Sequence, residues 1–134
     1  MNTPVLSIDK LSRVPLYEQI IENIERQVLL GLLPEETQIP SLRELSAQLD
    51  LNPNTIQKAY LELDRRGVVR ATPGRGCFIL PGAKEEIRRR LSARITEFSE
   101  LAAILCMAGI PEEELRDILH AAYRQSSTNG GINS

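Results

Sequence analysis

Ile39-Pro-Ser-Leu-Arg-Glu-Leu-Ser-Ala-Gln-Leu-Asp-Leu-Asn-Pro-Asn-Thr-Ile-Gln-Lys-Ala-Tyr60 reads as two short helices joined by a tight turn. Ser41 stands where a helix N-cap is needed. Its hydroxyl accepts a hydrogen bond from a free first-turn amide, and Glu44 three residues on completes a capping box. Leu42, Leu45, Ser46 and Leu49 recur at helical spacing, which predicts a helix over residues 41–49. Asp50 follows, and Asp tolerates the left-handed backbone of a sharp turn. Asn52 is placed to cap a second helix, with Pro53 at the first helical position, where no amide hydrogen is missed. Ile56, Ala59, Tyr60 and Leu63 then form an apolar stripe at i, i+3, i+4, i+7. Gly67 supplies the C′ glycine.

Opposite that stripe project Asn54, Lys58 and Arg65, with Thr55 and Gln57 on the flanks, at about 100° per residue. The start of the second helix is thus amide, hydroxyl and ammonium, with no acid before Glu62. Side-chain amides pair with adenine edges, and free helix N-terminal amides attract phosphate. Helix, short turn, helix is the geometry of a helix-turn-helix. Downstream, Val68-Val-Arg-Ala-Thr72 and Gly76-Cys-Phe-Ile-Leu80 are β-prone runs around Pro73-Gly-Arg-Gly76, a hairpin with a basic tip. A hairpin at this place makes the unit a winged helix. Arg75 stands at its tip, and Gly74 and Gly76 permit close backbone approach.

Three ordered motifs, Ile39-Pro-Ser-Leu-Arg-Glu-Leu45, Asn52-Pro-Asn-Thr-Ile-Gln-Lys-Ala-Tyr60 and Gly74-Arg-Gly-Cys-Phe78, together resemble the GntR family of bacterial transcription regulators. The Asn-Pro-Asn-Thr segment and short tail are similar to its YtrA-type branch. The resemblance implies DNA contacts by Arg43, by Asn52, Asn54, Thr55 and Gln57, and by Gly76 with its neighbour Arg75. Ser41 and Lys58 complete the candidate DNA-binding set, Lys58 as a phosphate contact. Pro53 and Gln57 stand where many relatives carry Arg, so guanine contacts are not expected there. YtrA-type relatives are typically repressors of ABC transporter operons, which the resemblance alone implies here.

The chain has 134 residues, 42% hydrophobic and 25% charged, with a net charge of −2. That is the balance of a globular protein. The distribution of charge matters more than its sum. Residues 14–50 hold Arg26 and Arg43 against seven acids, whereas residues 52–80 hold Lys58, Arg65, Arg66, Arg70 and Arg75 against Glu62 and Asp64. A net of +3 on the proposed recognition helix and wing predicts salt-sensitive DNA binding. Scarce aromatics speak against base stacking on single strands. Cys77 and Cys106, without a secretory leader, read as reduced thiols of a cytoplasmic protein, and Cys77 as a small core residue. No run reaches the ~20 apolar residues of a membrane span. Neither a phosphate loop, a metal-ligand cluster nor a Ser-His-Asp set is present, so no enzyme, metal site or cofactor is expected.

Residues 1–14 read as a polar lead-in whose Val5-Leu-Ser-Ile8 piece is an arm or an edge strand. Pro15 opens a helix to about residue 30, with Leu16, Ile20, Ile21, Ile24 and Val28 buried and Glu18, Glu22, Glu25 and Arg26 facing solvent. Thr37-Gln-Ile39 offers a third strand to the wing. Pro81-Gly82 is a break, taken as the end of a winged-helix domain at residues 1–81. One long helix is expected over residues 84–108 and a second from Pro111. Two helices alone bury too little to be stable. Residues 82–125 therefore read as a dimerisation hairpin, with Leu91, Ile95, Phe98, Leu101, Leu105, Leu115, Ile118 and Leu119 packed on a second copy, the alternative being a monomer that folds the hairpin back on the wing domain. Residues 126–134 are expected to be disordered. The fold class is mainly α with a small β wing. The functional expectation is a homodimeric regulator on an inverted-repeat operator. Its rival is a winged helix used for protein docking, which usually lacks a polar, basic recognition helix. A small effector pocket between wing domain and C-terminal helices is a further possibility, with the ligand unknown.

Overall fold

The computed structural model describes residues 6–130. Its elements run α1 (Leu16–Leu29), β1 (Gln38–Ile39), α2 (Leu42–Leu49), α3 (Pro53–Arg65), β2 (Val69–Thr72), β3 (Gly76–Ile79), α4 (Ala83–Ser92), α5 (Ile95–Met107) and α6 (Glu112–Gly130). The three strands form an antiparallel sheet in the order β1-β3-β2, with Ile39 opposite Cys77 and Thr72 opposite Gly76. The expected third strand is therefore present, and β2 and β3 form the expected hairpin.

The chain divides into two compact units between Arg89 and Arg90. The first is organised around α1 and α3, whose apolar stripes face each other. Ile20, Ile24, Ile56, Ala59, Leu63 and Leu45 are fully buried together with Val68, just before β2, and Val69 and Ile79 from the sheet. Burial at about 25 cal/mol per Å² of apolar surface makes this cluster the main stabilising feature of the unit. α4 contributes too: Ala83 and Ile87 are fully buried in the same cluster. The first unit therefore runs past the Pro81-Gly82 break.

Three further differences from the sequence reading have physical reasons. Glu25 does not face solvent. It is 8% exposed, and its carboxylate accepts a hydrogen bond from Arg66 Nη1 at 3.3 Å. The arginine that closes α3 thus draws the acid into the α1–α3 contact. The helix expected over residues 84–108 is two helices, because Arg94 N–H bonds Leu91 O at 2.9 Å and closes a tighter i to i+3 turn. α6 reaches Gly130, so helical backbone enters the segment expected to be disordered, while residues 131–134 lie outside the described residues.

The lead-in is an arm, not a strand, over its described part; residues 1–5 lie outside it. Leu6 and Ile8 pack on the core. Asn23 Oδ1 accepts from Ser7 N–H at 3.2 Å, Gln19 Oε1 accepts from Asp9 N–H at 2.8 Å, and Gln19 Nε2 donates back to Asp9 O at 2.9 Å. Two amides of α1 therefore satisfy backbone groups that an extended arm would otherwise leave unpaired.

Candidate nucleic-acid interface

Local hydrogen bonds place the second helix of the pair. Ser41 and Glu44 form the capping box, with Glu44 N–H donating to Ser41 Oγ at 3.0 Å and Ser41 N–H to Glu44 Oε1 at 3.1 Å. Asp50 adopts the left-handed conformation at φ 53°, and Ser46 Oγ donates across the turn to Leu51 O at 2.5 Å. Asn52 Oδ1 then accepts from Asn54 N–H at 2.8 Å, with Pro53 at the first helical position. From within, the buried Tyr60 hydroxyl donates to Pro40 O at 2.7 Å and ties α3 to the segment leading into α2. With Ile56, Ala59, Tyr60 and Leu63 buried, the opposite face is solvent-facing. Asn52, Asn54, Gln57 and Lys58 are exposed there and Thr55 is half-buried.

The wing meets this face. Arg75 is exposed at the hairpin tip, and its N–H donates to Thr72 O at 2.9 Å. Gly76 has φ 114°, and a Cβ added there would run into the Gln38 side chain, whose Nε2 donates to Arg75 O at 3.0 Å. Glycine is thus required both by backbone conformation and by the amide that braces the tip. An open cleft lies between α3 and wing, lined by Gln57, Leu61 and Asp64 on one side and Thr72, Pro73 and Gly74 on the other. Ser41 and Gly76 also line it, so those two and Gln57 share one concave surface. Arg43 is exposed on α2.

The positive charge is sorted more narrowly than the count of cations in residues 52–80 suggests. Glu62 accepts from Arg65 Nε at 2.8 Å and Nη2 at 2.5 Å, and from Arg66 Nε at 2.8 Å. Arg65 and Arg66 are therefore largely neutralised within the fold. Among the described residues, Arg43, Arg70 and Arg75 form no ion pair. Lys58 lies over the Tyr17 ring, its Nζ 4.0 Å from the centroid. Lys10 Nζ donates to Asp50 O at 3.2 Å, which brings the arm to the turn before α3. Tyr17 and Lys10 carry no sequence signal for this placement, because both contacts join segments far apart in the chain.

The same pairs give the unit an acid dependence. Hydrogen bonds from Arg65 and then Arg66 hold the Glu62 carboxyl at about 2, below the ordinary 4.5. A depressed carboxyl contributes stability above its unfolded pKa and loses it as pH falls through the folded value. The Glu62 contribution is thus complete above about pH 4.5 and lost on descent toward pH 2. Glu62→Gln should flatten the fall in thermal midpoint across that window, read by circular dichroism melts at successive pH values. Burial pushes the Cys77 thiol up to about 11, which suits a core residue and not a reactive one.

The second unit carries the proposed dimerisation residues. Among them Ile95, Phe98, Leu101 and Ile118 are 66%, 65%, 54% and 61% exposed, Leu91 and Leu119 are also exposed, and Leu105 and Leu115 are half-buried. No residue of α5 is buried. Among the described residues no helix is long and apolar enough to cross a membrane, and no cluster of His, Cys, Asp or Glu is suited to a metal.

Residues 16–79 match the family of bacterial regulatory proteins named for gntR. The HTH-type transcriptional repressor YtrA of Bacillus subtilis (strain 168) is 35% identical over 114 residues, covering 84% of this chain and 88% of its own. The chain belongs to the GntR family. Its matched segment starts with α1 and ends with β3, so the family region contains α1, the helix pair and the wing. As a GntR protein it is a DNA-binding transcription regulator. The crystal structure of a transcriptional antiterminator from Listeria monocytogenes EGD-e is similar, 33% identical with TM-score 0.76 over 97% of both chains. The DNA-binding domain of AraR in complex with operator ORX1 is 30% identical at TM-score 0.50, covering 59% of this chain and 98% of that one.

Proposed function

We propose that this GntR regulator is a homodimeric repressor that reads an inverted-repeat operator with the first turns of α3. The observation that carries the reading is the exposed, acid-free start of α3, flanked by the unpaired arginines of α2 and the wing tip. Asn54 and Gln57 are the base-edge readers, since a side-chain amide makes paired bonds to adenine worth about 1–3 kcal/mol of discrimination each. Arg43, Lys58 and Arg75 hold phosphates, with Arg75 also within the chemistry of a minor-groove contact. Ser41, Asn52 and Thr55 shape the approach, two of them as caps whose oxygens are already engaged. Gly76 lets the wing backbone close on DNA.

Homodimerisation rests on the exposed apolar residues of α5 and α6, and repression on the similarity to YtrA. Two α3 helices related by a two-fold axis fit half-sites about 34–36 Å apart or a multiple. Control of an ABC transporter operon follows from the resemblance to the YtrA-type branch, and a cytoplasmic site of action follows from DNA as partner. The testing variant is Gln57→Ala. Its binding should weaken most for the unaltered operator and least for duplexes already changed at the position it reads, with preference at that position relaxed by about tenfold. Equal weakening on every duplex would make Gln57 a backbone contact and remove it from the readers.

A further inference from the structure

Lys58 stands four residues before Glu62 on α3, the spacing at which a lysine and a glutamate on one helix face ordinarily pair. It does not pair. The Glu62 oxygens are taken by Arg65 and Arg66, and the Lys58 ammonium sits 4.0 Å from the centre of the Tyr17 ring. Tyr17 belongs to the first turn of α1 and is half-buried against the core, so its ring is held by the α1–α3 contact. Glu62 and Arg66 are near enough to act electrostatically on its hydroxyl, which places the ring alongside the Lys58-Glu62-Arg66 row of α3.

From this arrangement we infer that Tyr17 is a positioning residue for DNA binding, whose ring keeps the Lys58 ammonium clear of Glu62 and available to a backbone phosphate. The inference rests on the reading of Lys58 as a phosphate contact. The physics favours the device. A carboxylate partner would cancel the lysine charge and have to be displaced by DNA. An aromatic face restrains the ammonium and leaves its full charge and its donors to a phosphate. The Arg65 and Arg66 contacts serve the same end by occupying the one acid on that face. Each phosphate neutralised by a cation adds about −0.9 to the slope of log K against log salt, so the state of one lysine is measurable.

The test is fluorescence anisotropy of the full chain on a labelled mixed-sequence duplex over a range of salt. Variants are Tyr17→Ala, Tyr17→Leu, Tyr17→Phe, Lys58→Ala and the Tyr17→Leu/Lys58→Ala double. Tyr17→Leu keeps apolar bulk at the α1–α3 contact and guards against loss of folding, which melts monitor. Tyr17→Ala and Tyr17→Leu should bind about two- to fivefold more weakly. Tyr17→Phe should bind like the parent protein, and the double variant no more weakly than Lys58→Ala. The Lys58→Ala salt slope should fall by about 0.9. Equal losses in Tyr17→Phe and Tyr17→Leu would assign the hydroxyl its own DNA contact and overturn the inference. So would additive losses in the double variant, or full binding by Tyr17→Leu. An unchanged Lys58→Ala would instead strike down the phosphate role itself, and the inference with it.

Discussion

Phe98→Glu together with Leu101→Glu is expected to yield a monomer whose DNA-binding unit stays folded but whose affinity for a two-half-site operator falls by 10²- to 10⁴-fold. The argument begins with surface. In the second unit α5 buries none of its residues, and Phe98 and Leu101 are 65% and 54% exposed. A Phe or Leu moved from water into an interface is worth about 1.5–3 kcal/mol, and two-fold symmetry counts each substitution twice. Burying glutamates in their place adds a desolvation cost that no partner offsets. The affinity loss follows from linkage: two joined half-site readers gain a local concentration worth about 10²–10⁴ in binding, which a monomer forfeits. Light scattering after gel filtration gives the mass, and titration of duplexes with one or two half-sites gives the linkage. A variant that remains dimeric with undiminished operator affinity would remove α5 from the interface.

Ile56→Ala should destabilise the first unit by about 2–5 kcal/mol, a large part of a typical domain's stability. Ile56 is fully buried beneath the exposed start of α3, within the cluster shared with α1. Its removal leaves a cavity under the side chains proposed to read DNA. The neighbouring Gln57→Ala, on the exposed face, should stay within about 0.5 kcal/mol. Urea unfolding followed by circular dichroism measures both. A fall in DNA affinity for Ile56→Ala should track the unfolded fraction and vanish when binding is measured in conditions that restore folding. Comparable destabilisation by the two substitutions would mean that α3 is not seated by its apolar stripe.

Local chemistry made the helix pair and wing readable from the sequence. The Ser41–Glu44 box, the Asp50 turn, the Asn52-Pro53 start and the glycines around Arg75 each depend on residues a few positions apart, and each is present in the fold. What sequence did not reveal depends on long-range contacts or on a break without a breaker. Nothing in Ser92-Ala93-Arg94 marks a helix end, yet the chain tightens there between α4 and α5. Glu25 has the pattern of a solvent-facing acid, and only Arg66, far away in sequence, brings it inside. Ala83 and Ile87 follow a Pro-Gly break but complete the core before it. The candidate DNA surface was legible as a list of exposed polar residues. The sorting of its charge was not: Arg65 and Arg66 are committed to Glu62, and Lys58 to the ring of Tyr17.

Selection of binding sites from a pool of random duplex DNA by the purified full chain, at moderate salt, tests the central claim most directly. A dimeric sequence reader recovers a palindromic consensus, with half-sites about one helical turn apart or a multiple, and with positions whose preference relaxes in Gln57→Ala. Retention of duplex without any consensus, or recovery of an unpaired half-site alone, would contradict it.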